Sequence, residues 1–195
     1  ISYSTHQLLL NNLQKYMEVG GLPDIVNIFF QGGNWQQKRQ EILLGYYNDF
    51  KRIFGEKLLP YFVAALKTTA HLLGSSFKNS HVSTLLDGGK NKLIIESLGQ
   101  LESWKMIIKS DQKGSSPESH YHCKRYLFDI GIAKELRESV VPPIHLLKTL
   151  NEIQRTSLGG LIENLVVNAL THHALEISGW KKASSGSEVD FIVKK

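Results

Sequence analysis

Three carboxylates toward the C-terminal end are the residues whose types and spacing best suit chemistry. Glu163 lies in Leu158-Gly159-Gly160-Leu161-Ile162-Glu163-Asn164, and Glu188 and Asp190 lie in Glu188-Val189-Asp190-Phe191. Successive side chains of a strand point to opposite faces, so Glu188 and Asp190 share one face. Like charges set that close repel by about 0.2 to 1 kcal/mol unless a cation neutralises them. A hard divalent ion such as Mg²⁺, held by one or two carboxylates plus water, fits this spacing, and such an ion activates water against a phosphate ester. His120-Tyr121-His122-Cys123 offers imidazole and thiol ligands, but no second cluster exists to complete a tetrahedral site. Lys92, Lys109, Lys113, Lys124 and Arg125 form a third set, suited to phosphate oxygens. The pattern GxxxxGK[ST] does not occur, so this chain by itself is not expected to hydrolyse ATP by the P-loop route.

The elements that must position these groups follow from periodicity. Leu158, Leu161, Ile162, Leu165, Val166 and Ala169 recur as one face of a 3.6-residue period, which predicts a helix with that face buried and Glu163 at its edge. His172-His173 ends that helix, where a cation offsets the dipole. A turn-rich interval follows, and the β-branched and aromatic content of residues 188–193 then predicts a strand.

Upstream the patterns are helical. Ser4 and Thr5 suit a helix start, and Gly20-Gly21 before Leu22-Pro23 ends that helix. A short helix closed by Gly32-Gly33 comes next, then a long one from Trp35 to Phe54, then an apolar one from Glu56 to Leu73 broken by Gly74. Asp49, among apolar positions, reads either as an exposed helical acid or as a carboxylate placed for function. Two shorter helices, His81 to Leu86 and Asn91 to Trp104, flank Asp87-Gly88-Gly89, with Ile94, Leu98 and Leu101 inward and Lys92, Glu96, Gly99 and Gln100 outward. Strand-like segments at 105–109 and 124–128 surround a polar loop, and together these make a winged helix-turn-helix. Its basic residues suit duplex DNA, while Glu96 on the outward face would repel phosphate and suits protein docking instead.

A short amphipathic helix from Ile130 ends near Glu138, and Val141-Pro142-Pro143 marks a boundary. The fold class expected is mainly α with α/β parts. A helical and winged-helix domain spans 1–140, and the N-terminal part of an α/β domain spans 141–195. With 195 residues, 42% of them hydrophobic, the chain can bury a core, and its +5 charge suits a polyanion only weakly because the basic residues are scattered. A single cysteine excludes an internal disulfide, and no apolar run approaches the ~20 residues of a membrane span, which makes the cytoplasm the expected compartment. A start at Ile1 rather than Met suggests a piece of a longer protein.

Five motifs occur in an order that resembles a large family of bacterial and archaeal AAA-type ATPases: Gly20-Gly21-Leu22-Pro23-Asp24, Tyr47-Asn48-Asp49-Phe50, residues 124–132 (KRYLFDIGI), residues 158–164 and residues 188–191. In that family a P-loop ATPase module precedes a helical and winged-helix region and a C-terminal domain similar to the PD-(D/E)XK restriction-endonuclease-like fold. The resemblance implies that Glu163 matches the acid on the first core helix and Asp190 the metal-binding acid on the second core strand. The next strand, with an acid and a lysine two residues apart, would follow Lys195, so the nuclease-like core is expected to be truncated. The resemblance also implies ATP and Mg²⁺ for the full-length protein. The expected partners are its own ATPase module, another protein or duplex DNA, with no membrane. Three roles follow: a regulatory and DNA-binding region, a docking module, or part of a metal-dependent nuclease.

Overall fold

The computed structural model describes residues 2–114, 123–138, 143, 149–171, 173, 176–182 and 187–194. Helices α1 (Tyr3–Val19), α2 (Pro23–Phe30), α3 (Trp35–Phe54), α4 (Leu59–His71), α5 (Asn79–Thr84) and α6 (Asn91–Ser103) precede strands β1 (Ile107–Gly114) and β2 (Cys123–Leu127). Helices α7 (Ile130–Arg137) and α8 (Glu152–Thr171) follow, then strands β3 (Glu176–Lys181) and β4 (Glu188–Lys194). The fold is mainly helical, with one small open mixed sheet in the order β2-β1-β3-β4. β1 pairs antiparallel with β2 and parallel with β3, and β3 pairs antiparallel with β4.

Local chemistry accounts for most boundaries. Ser2, rather than Ser4 or Thr5, caps α1, its hydroxyl accepting from the Thr5 N–H at 3.2 Å. Pro60 sits in the first turn of α4, where its missing N–H costs nothing, so this helix begins at Leu59 rather than Glu56. β1 runs to Gly114, through residues expected to be loop, because it is an interior strand with partners on both edges. The sheet thereby joins strands from both sides of the boundary expected near 141. Of the Val141-Pro142-Pro143 breaker, only Pro143 lies among the described residues.

Two motifs far apart in sequence meet at the joint between α1 and α7. Gly20 ends α1 at φ 89°, and a Cβ there would stand 2.5 Å from Asp129 Oδ1. Asp129 in turn accepts from Ile132 N at 2.9 Å, capping α7, and from Gly21 N at 2.7 Å. Burial pushes the Asp129 carboxyl up, against the pull of those N–H donors. Beside it, Arg39 of α3 is buried over Trp35 and donates to Glu135 of α7 at 2.8 Å and to the Glu18 carbonyl at 3.0 Å. Phe50, Phe62, Leu66, Ile94, Leu101, Tyr126, Leu127, Ile130 and Leu161 belong to one core that both halves of the chain build.

Candidate functional site

The site begins with the way α8 docks on the sheet. Its buried line is Leu158, Leu161, Asn164 and Val167 with Gly160, whereas Ile162, Val166 and Ala169, expected inside, are exposed. Hydrogen bonding explains the rotation. Asn164 Oδ1 accepts from Leu127 N at 2.7 Å, and Asn168 Nδ2 donates to Leu127 O at 2.8 Å, so two amides clasp the last peptide groups of β2. Gly160 lets the helix close in, since a Cβ there would stand 2.3 Å from the Leu73 carbonyl oxygen. Turned this way, α8 presents Glu163 to the sheet.

Across the sheet, Lys124 of β2 stands opposite Ser110 in the β1 ladder, so the two share a face with Gln112. Gln112 pairs with Gly179 of β3, and its amide lies where a Cβ on Gly179 would stand, 2.3 Å away. The Lys124 ammonium donates to Asp190 Oδ1 at 2.7 Å, to Glu163 Oε2 at 3.1 Å and to Glu188 Oε1 at 3.5 Å. Tyr126 donates its hydroxyl to Glu163 Oε2 at 2.9 Å, and its ring packs against Phe191 at 5.7 Å. Lys181 adds a second cation 3.4 Å from Glu188. The sequence therefore located three acids that the fold brings together, and missed the lysine on which they converge.

The electrostatics are those of a half-buried ion cluster. The Lys124 side chain is 4% exposed, against 23% for Glu163, 37% for Glu188 and 44% for Asp190. Burial pulls the Lys124 ammonium down, but the bonds and charges of Asp190 and Glu163 outweigh it and hold the group above its ordinary value. Burial raises the Glu163 carboxyl against the pull of Lys124 and Tyr126. Burial and the charge of Glu163 raise the Tyr126 phenol, which stays a donor at neutral pH.

Where the spacing suggested a divalent ion, the fold places the Lys124 ammonium. An ammonium already stands where the carboxylates converge, and among the described residues no group of three or more His, Cys, Asp or Glu side chains could hold a metal ion. Nor do Lys124 and Arg125 face outward as phosphate contacts, because both are buried. Arg125 lies over the Phe77 ring at 4.5 Å and bonds Glu102 at 3.2 Å and the Cys123 sulfur at 2.9 Å. Lys109 and Lys113 reach the surface but are ion-paired with Asp111 at 2.8 Å and Glu176 at 3.3 Å. Lys92 is exposed on α6, as are Glu96 and Gly99, while Ile94, Leu98 and Leu101 of the same helix are buried as expected. Asp49 is exposed and paired with Arg52. In the His120-Tyr121-His122-Cys123 group, the first three lie outside the described residues, as does His172, and Cys123 is buried with its thiol raised by burial.

A mainly helical fold with a small mixed sheet and a lysine-centred acid cluster defines the class of the molecule. The chain belongs to the family described as domain of unknown function DUF8612, which matches residues 10–140. No curated protein and no solved structure matches it.

Proposed function

We propose that this chain is the C-terminal regulatory region of an AAA-type ATPase and that it acts as a docking module for the ATPase module. The exposed apolar face of α1 and α2 carries this reading. Phe30, 81% exposed, lines a groove of about 280 Å³ with Tyr16, Val19, Val26 and Phe29, and Leu8 and Leu9 of α1 are 60% and 53% exposed. Exposed apolar surface of this kind marks protein contacts. The charged residues support the same reading, because four of the five basic residues suited to DNA are already bonded to acids or buried. The order α4, Phe77, α5, α6, β1, β2, with Phe77 bridged to Cys123, supports a winged helix, a fold that serves protein docking as well as DNA binding.

Titration calorimetry with the separately expressed ATPase module tests this. A saturable complex is expected, weakened about tenfold by Phe30→Ser, since fully burying such a side chain contributes about 1.5 to 3 kcal/mol. Heat of dilution alone at micromolar concentrations would refute the reading.

A further inference from the structure

We infer that Lys124 is the resident cation of the Glu163–Glu188–Asp190 cluster, a tethered ammonium that takes the place of a divalent ion and keeps the cluster closed to one. Three observations carry this, and none depends on the docking reading. The ammonium reaches from β2 to Asp190 on β4, two strands beyond its neighbour β1, and ends on carboxylates from both α8 and β4. The face from which Lys124 departs is small and polar: Ser110 and Gln112 lie on it, both buried, and Gly179 has no Cβ where the Gln112 amide lies. The lysine is itself buried, so its charge has no alternative partner in solvent.

Geometry makes the lysine and a divalent ion mutually exclusive. Mg²⁺ binds carboxylate oxygen at about 2.0 to 2.1 Å, so an ion shared by Asp190 and Glu163 would fall on the space of an ammonium lying 2.7 and 3.1 Å from the same oxygens. Binding therefore requires Nζ to withdraw, leaving a buried cation unpaired. The lysine thus selects against divalent ions by displacement cost, while its ammonium, with Lys181, offsets most of the charge of the acids in their absence.

Electron paramagnetic resonance of free Mn²⁺ tests the inference on three forms of the chain. The unaltered chain and Lys124→Arg should bind Mn²⁺ weakly and alike, and Lys124→Gln should bind at least about tenfold more tightly. Equal affinities in all three would overturn it, as would micromolar binding by the unaltered chain. Should Lys124→Gln not fold alone, recovery of its fold by Mn²⁺ gives the same support. A second measurement uses the unaltered chain only: the ¹⁵N resonance of the Lys124 ammonium should persist unshifted in millimolar Mg²⁺, and a shift at saturable Mg²⁺ would overturn the inference.

Discussion

Two adjacent glycines in α8 give a paired experiment on how the acid-bearing helix docks. At Gly160 a Cβ would stand 2.3 Å from the carbonyl oxygen of Leu73 and 2.9 Å from its carbonyl carbon, both backbone atoms that no side-chain rotation can move. At Gly159 a Cβ would meet nothing within 4 Å. Gly159→Ala should therefore express only the helix preference of alanine and stabilise by up to about 1 kcal/mol. Gly160→Ala gains the same preference but must push α8 off Leu73, an overpacking cost of about 1 to 3 kcal/mol. It also loosens the Asn164 and Asn168 bonds to Leu127, each worth about 1 kcal/mol. The net expectation is a loss of about 1 to 4 kcal/mol, a melting temperature lower by several degrees at about 2 to 4 °C per kcal/mol for a chain of this size. Urea unfolding of both variants reads the difference directly. Equal midpoints would refute the argument that close approach fixes the helix.

Three further outcomes follow from the same geometry. Asn164→Ala leaves the buried Leu127 N–H without its acceptor and should cost about 1 to 3 kcal/mol in urea unfolding. Lys124→Met leaves three acids facing one another and should destabilise the fold at neutral pH by less than the about 3 to 5 kcal/mol of breaking a fully buried pair, because water reaches the exposed part of the acids; because the Lys124 ammonium is raised in the fold, its stabilisation is full below the ordinary lysine range and is lost as pH climbs through the raised value, so the unaltered chain and this variant should converge in stability at strongly alkaline pH. Tyr47, whose phenol burial pushes up to about 12, holds its proton longer folded than unfolded, so stability should fall between pH 10 and 12 and should fall less steeply in Tyr47→Phe, as followed by near-ultraviolet circular dichroism.

Helix positions were legible because their signals are local. The glycine stops at Gly20-Gly21 and Gly32-Gly33, and the inward set Ile94, Leu98 and Leu101, depend on neighbours within a turn or two. What depends on distant partners was not legible. β3 reads as a turn because Ser178-Gly179 breaks its pattern, yet Gly179 is there to admit the Gln112 amide, a residue 67 positions earlier. The buried face of α8 was rotated from the hydrophobic count because Asn164 and Asn168, polar by type, bond the end of a strand some 40 residues away. Lys124 read as a phosphate contact because nothing near it in sequence announces three carboxylates. The acids themselves were legible, since two of them share one short strand.

In the docking reading, four of the five basic residues suited to DNA, Lys109, Lys113, Lys124 and Arg125, are paired with acids of the chain rather than with phosphates. Fluorescence anisotropy of a labelled duplex, titrated with this chain at low and high salt, tests it most directly. No saturable binding at low salt is expected. Saturable binding that weakens with salt by a log-log slope of about −0.9 per phosphate neutralised, and that is lost on replacing Lys92, Lys109 and Lys113, would contradict it.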